Sequence, residues 1–182
     1  TAERRFGAHA LALGLSYAGY SDDNRTHATA DWQHASVTGL RDASGGRTRL
    51  LGAFAEDAIA LTPQLTATLG LRYETWRASD GFLTNGGTTV RYGSRSHNAW
   101  SPKAALSFRP DDRSEIVASA ARATRFPTVR ELYQAGLIAY GPDVGQLDLN
   151  GFNPDLRPEK ALDLQFTASR RIGNVKLTLS GY

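Results

Sequence analysis

Metal or nucleophilic catalysis needs a few reactive side chains at a fixed spacing, and this sequence offers almost none. The four histidines are His9, His27, His34 and His97, and no pair has the i, i+4 spacing or glutamate partner of a zinc helix. No Gly-x-Ser-x-Gly elbow is present to activate a serine. Gly45-Gly46 and Gly86-Gly87 read as loop punctuation rather than phosphate cradles. Zero cysteines remove disulfides, thiolate metal sites and cysteine nucleophiles together. These residues predict neither an enzyme, nor a cofactor, nor a resident metal.

Charge excludes a second class. The 21 Lys+Arg against 18 Asp+Glu leave a net +3, almost all of the positive charge is arginine, and it is scattered. Nucleic-acid binding needs a concentrated basic footprint, so no nucleic-acid partner is expected. The 41% hydrophobic residues nowhere form a run of the roughly 18 that a membrane-spanning helix requires.

The elements that organise the chain have period two. Leu65, Ala67, Leu69, Leu71 and Tyr73 share one face, and Thr66, Thr68, Gly70, Arg72 and Glu74 the other. The pattern recurs at Leu11, Leu13, Leu15 and Tyr17; at Pro102, Ala104, Leu106 and Phe108; at Leu162, Leu164, Phe166 and Ala168; and at Val175, Leu177 and Leu179. Segments 47–61 and 114–126 are apolar and of strand length, with poorer alternation. Seven strands are predicted, at 8–20, 47–61, 65–77, 98–109, 114–126, 159–170 and 175–182. Residues 27–37 are read as an extended hairpin or loop, or as an eighth strand with Asp22-Asp23-Asn24 as its turn.

Long and short connectors alternate between these strands. The short ones carry turn chemistry: Thr62-Pro63-Gln64, Pro110-Asp111-Asp112-Arg113 and Arg171-Ile172-Gly173-Asn174. Outer-membrane barrels have short periplasmic turns, long extracellular loops, and strands with an apolar outer face and a small or polar inner one. Tyr73, Trp76 and Trp100 flank a long loop and Phe108 a short turn, where interfacial aromatic girdles are expected. The opening residues TAERRFGAHA show neither an initiator methionine nor a leader, so the stretch is expected to be a cut or processed piece.

The motifs carry a family resemblance. LGAFAEDAIALTPQLTATLGLRYETW from Leu51 and WSPKAALSFRPDD from Trp100 resemble successive strands and turns of TonB-dependent outer-membrane receptors. ATRFPTVRELYQ from Ala123 and NPDLRPEKALDLQF from Asn153 resemble a paired signature flanking one extracellular loop of that family. The resemblance implies an all-β, antiparallel transmembrane barrel segment, 7 to 8 strands of a larger, 22-stranded barrel. Residues 1–182 would be part of that barrel, with the plug domain and TonB box absent, so contact with the TonB complex would come only through the missing segment.

Within the signature, Phe126, Pro127, Glu131, Asn153, Pro154, Pro158 and Glu159 are expected to anchor the loop, because proline fixes φ and has no N–H to leave unpaired. Arg130, Glu131, Arg157 and Glu159 are expected to cluster at its base. The resemblance further implies outer-membrane lipid as surroundings and a metal chelate such as a ferric siderophore as ligand. The interval 127–152 holds no histidine to ligate haem. Arg91, Tyr92, Arg95, Arg130, Tyr133 and Tyr140 are the candidate chelate contacts.

Two other architectures stay open on the residues alone. One is a self-contained small outer-membrane barrel serving as an anchor or adhesin. The other is a secreted carbohydrate-binding sandwich, whose apolar faces would have to meet each other.

Overall fold

The computed structural model describes residues 1–31, 33–34, 36–134, 136–138, 141–144, 147–148 and 151–182. Its strands are β1 (Ala2–Phe6), β2 (His9–Asp31), β3 (Ser36–Ala60), β4 (Leu65–Asn85), β5 (Thr88–Tyr92), β6 (Arg95–Asp111), β7 (Ser114–Arg125), β8 (Gly136–Leu137), β9 (Leu147–Asp148), β10 (Glu159–Ile172) and β11 (Val175–Gly181). One short helix, α1 (Val129–Tyr133), lies between β7 and β8. The main sheet has nine strands in the order β1-β2-β3-β4-β6-β7-β10-β11, with β5 paired to the far end of β4. Every pairing is antiparallel, and the sheet is open, ending at β1 and β11.

The alternating residues fall into registered rows. Leu15 pairs with Ala53, Ala53 with Tyr73 and Tyr73 with Trp100, all on one face. Leu69 pairs with Ala104, Ala104 with Ala120 and Ala120 with Leu164 on the same face. This outward face finds no partner among the described residues: Leu15 is 81% exposed, Leu162 72% and Leu179 70%. A sandwich would bury such side chains against a second sheet; among the described residues the other sheet is only the two-residue pair β8-β9, and these leucines stay exposed. The small closed barrel fares no better, since β1 and β11 are not paired to each other.

The opposite, inner face is small and polar. Arg72 donates to Ser16 Oγ at 2.9 Å and pairs with Glu74 at 2.8 Å, while Lys103 pairs with Glu56. Gly14 and Gly70 lie beneath the Phe54 ring and the Lys103 stem, where a Cβ would meet those atoms at 2.2 and 2.6 Å.

The short turns step along the sheet. At the first, Phe6 and His9 share a row with Ile59 and Ala67. At the third, Ser114 lies two residues beyond Ile116, which shares a row with Phe108 and Leu65; at the fourth, Ile172 lies four beyond Ala168 of that row. Such a progressive stagger is what tilts the strands of a barrel.

Three sequence expectations need correction. The sheet has nine strands rather than seven or eight, because β1 and β5 are five-residue strands too short to display a period. The first two long loops are themselves strand: β2 and β3 continue as a ladder to Asp31 and Ser36, and β4 runs to Asn85. Alternation fades there because neither face is selected for contact with an apolar phase, so the period that reveals a strand is missing. Asp22, Asp23 and Asn24 are no turn, since they pair with Gly46, Gly45 and Ser44 inside the ladder. Of the segment 27–37, residues 27–31 close β2 and 36–37 open β3, at the far end of this ladder.

A face-specific substitution tests the two-sided wall. Leu69→Arg, outward and midway between Leu65 and Tyr73, should destabilise the full-length barrel in lipid by about 2–4 kcal/mol. Thr68→Arg, on the inner face, should cost far less; equal losses in a refolding titration into liposomes would contradict the assignment.

Candidate functional site

The first residues of the third long connector do not project away from the sheet. After β7 the chain turns onto the inner face and forms α1, which packs against β2, β3 and β4. A single turn of helix is marginal by itself, and local capping and burial make it form here. Thr128 is the N-cap: its Oγ accepts from Glu131 N at 3.3 Å, and Glu131 Oε2 accepts from Thr128 N at 2.8 Å, a complete capping box. Leu132 and Tyr133 are fully buried, with Val129, against Trp76 and Ala78.

Two glycines receive the tyrosine. A Cβ on Gly46 would lie 2.5 Å from the Tyr133 ring and one on Gly81 only 2.4 Å away. Tyr92 stacks on Tyr133, with ring centroids 5.5 Å apart. Beside them Trp76 stacks on Phe126 at 6.0 Å and on His97 at 5.9 Å. Asp80, in the left-handed region at φ 57, and the register break beside Gly46 form a bulge, so Trp76, Ala78 and Gly81 all face inward although the parity changes.

Arg125, the last residue of β7, ties the two halves of the paired signature. Its Nε and Nη2 donate to both carboxylate oxygens of Glu159 at 3.0 and 2.9 Å, and Nη1 donates to Glu131 at 2.9 Å. The backbone joins too, with Asn153 N donating to Glu131 O at 2.8 Å. The Asn153 side chain accepts from Asp155 N at 2.8 Å, which closes the Asn-Pro-Asp turn. Glu131 is held below the usual carboxylate range by the Thr128 amide and by Arg125, and Glu159 by Arg125. The same bonds raise the Arg125 guanidinium.

The charged base expected from Arg130, Glu131, Arg157 and Glu159 is therefore built differently. Arg125 supplies the cation that grips both glutamates, while Arg130 lies 3.8 Å from Asp22. Arg157 acts near His97, whose imidazole is pushed down chiefly by burial and then by Arg95 and Arg157. Arg125 was missed because it reads as an ordinary strand residue; only the register Arg125↔Glu159 reveals it.

The candidate ligand contacts separate by location. Tyr133 is entirely buried and Tyr92 lies against it, and burial raises both phenols. Among the described residues the Tyr133 hydroxyl finds no hydrogen-bond partner. Arg95 donates to the backbone oxygens of Pro154 and Asp155, so it holds the returning chain. Arg91 pairs with Phe82 on β4, away from the Tyr92 and Gly81 row that faces Tyr133. Arg130 is exposed at the rim, and Tyr140 lies outside the described residues.

Of the expected girdle, Tyr73 and Trp100 meet on the outward face with tilted rings, centroids 4.5 Å apart, and Phe108 is outward near the short turns. Trp76 does not belong with them. It is 2% exposed on the inner face, as its even spacing from Glu74 and Arg72 requires.

Between α1 and the inner face lies a cavity of about 480 Å³. Tyr20, Leu50, Trp76 and Phe126 give it an apolar wall, and Asp22, Glu74, Arg125 and Arg130 bring charge to its edge.

An open, staggered, antiparallel sheet with an unpartnered apolar face and an inward-folded loop defines a section of a transmembrane β-barrel. The chain belongs to the TonB dependent receptor-like, beta-barrel family, whose profile matches residues 2–182. Among solved structures it is similar to one titled "Copper transporter OprC", with 18% identity and a TM-score of 0.72, covering 98% of this chain and 27% of that one. It is also similar to the ferric yersiniabactin uptake receptor FyuA from Yersinia pestis, with 12% identity and a TM-score of 0.52, covering 98% of this chain and 30% of that one. The chain thus spans under a third of either protein's length. No curated protein sequence matches it. The family and these structural neighbours are transport receptors rather than enzymes.

Two predictions follow from the geometry of the loop. Gly81→Ala should destabilise the loop by about 1–3 kcal/mol through overpacking against Tyr133, read as faster proteolysis between residues 126 and 158. The loss should shrink when Tyr133→Ala is combined with it, and an unchanged loss would place the strain elsewhere. The second prediction concerns pH. Because Glu131 and Glu159 are depressed when folded, their contribution is complete above the unfolded carboxylate pKa and lost as pH falls through the folded values. Loop protection should hold at neutral pH and fall in acid, and Glu159→Gln should remove part of it at neutral pH.

Proposed function

We propose that this chain is part of the barrel wall of a bacterial outer-membrane, TonB-dependent transporter that takes up a metal chelate, of which ferric siderophores are the leading class. The plug and the TonB-contacting segment belong to other parts of the complete protein, and outer-membrane lipid surrounds the outward face. The observation that carries the substrate class is the cavity between α1 and the inner face: its aromatic wall suits the organic shell of a chelate, and Arg130 at the rim suits that shell's polar groups. With no cysteine or methionine, this stretch brings no soft sulfur ligand to a bare copper ion. One structural neighbour is titled for a ferric chelate and another for copper, so both cargoes belong in the test.

The test is uptake by cells carrying the full reading frame and lacking other such receptors. Saturable accumulation of iron supplied as a ferric chelate, abolished by collapsing the proton gradient, is the expected result, with Arg130→Gln raising the half-saturation concentration several-fold. Accumulation of unchelated copper with no response to any ferric chelate would overturn the substrate class.

A further inference from the structure

The outward face carries an arrangement that the wall alone does not explain. Arg49 on β3 and Arg77 on β4 are direct cross-strand partners. Their parity puts both outward, because Thr48, Leu50, Trp76 and Ala78 on either side of them face in. Like charges directly opposite each other on a sheet are destabilising, since Cβ atoms of such pairs lie only about 5 Å apart. The nearby carboxylates are engaged elsewhere: Asp80 lies 3.7 Å from Arg47, and Glu74 is on the inner face with Arg72. Neither Arg49 nor Arg77 makes an ion pair among the described residues.

The surroundings complete a niche. The same row continues to Gly19 on β2 and Ser96 on β6. Gly19 has no side chain, and the Tyr17 hydroxyl occupies the adjoining space, 3.1 Å from where a Cβ would lie. Two guanidinium groups, and a phenol lying over a glycine, therefore share one outward patch. Four residues along β4 from Arg77 the paired Tyr73 and Trp100 rings mark the level at which the apolar face gives way to a polar one.

We propose that Arg49 and Arg77 bind the phosphate of a membrane-lipid headgroup, with the Tyr17 hydroxyl as a third donor and the acyl chains lying along the apolar rows below. The oxygens of a phosphate accept charge-assisted, bidentate hydrogen bonds from a guanidinium, and its negative charge relieves the repulsion between the two arginines. The site rests on the family's membrane placement and is independent of which cargo the receptor carries.

The full-length receptor, purified in dodecyl maltoside, would be titrated with mixed micelles containing a phosphorylated glycolipid or the same lipid dephosphorylated. Wild type should bind the phosphorylated lipid at least about tenfold more tightly, and the preference should weaken as ionic strength rises. Arg49→Gln/Arg77→Gln should abolish the preference, and Arg49→Lys/Arg77→Lys should keep part of it. Heat-resistant mobility on gels would show that each variant is folded; if the glutamine pair fails to fold, the single variants Arg49→Gln and Arg77→Gln carry the comparison. Equal binding of both lipids by wild type, or an unchanged preference in the folded glutamine variants, would overturn the proposal. So would complete displacement of the lipid by millimolar inorganic phosphate, which would mark a free-anion site. Uptake assays report on cargo separately, so failure here leaves that reading standing.

Discussion

A continuous hydrogen-bonded ladder from β1 to β11 leaves the chain only two faces, and everything else depends on that division. Backbone groups in hydrocarbon must be satisfied within the structure, so a wall that meets lipid has to be an unbroken antiparallel sheet. Once the ladder is in place, side chains must alternate, apolar outward and small or polar inward. Arg72, Glu74, Glu56 and Lys103 can be charged because they share the inner face, and Leu15, Leu162 and Leu179 can be exposed because they share the outer one.

The ordinary core of the molecule is correspondingly small and sits where the loop returns. Trp76, Ala78, Val129, Leu132 and Tyr133 form it, at the end of the sheet remote from the short turns. It joins an element too short to be stable alone to strands already fixed by the ladder. The glycines at 46 and 81 admit the Tyr133 ring, and the Arg125 clip closes the chain behind it. Burial supplies the driving force and the charged bonds supply the register, a division expected where the glutamates remain partly exposed to water.

How much of this was legible in the sequence follows from the same two faces. Strands such as 65–73 were plain because one side is selected for apolar contact and the other is not. Beyond Tyr73 the constraint fades, so residues 78–85 and 21–31 show no period although they are strand. Trp76 was placed in the girdle by its residue type, while the parity of Arg72 and Glu74 already assigned it inward. The signature prolines and Glu131 marked the loop anchor, but Arg125 depends on a partner 34 residues away, and only register brings Glu159 beside it. The seats at Gly46 and Gly81 had no local signal, because a glycine that accommodates a distant ring looks in sequence like any other glycine.

The central claim is that α1 and the returning turn at Asn153 are folded onto the inner face and fastened to each other there. Amide hydrogen exchange at Asn153 in the full-length protein tests it most directly. That amide donates to Glu131 O at 2.8 Å across the loop base. It should exchange much more slowly than an unstructured amide and lose that protection when Arg125 is replaced by glutamine. Exchange at the rate of a solvated loop in the unaltered protein, with β3 and β4 amides still protected, would contradict the account.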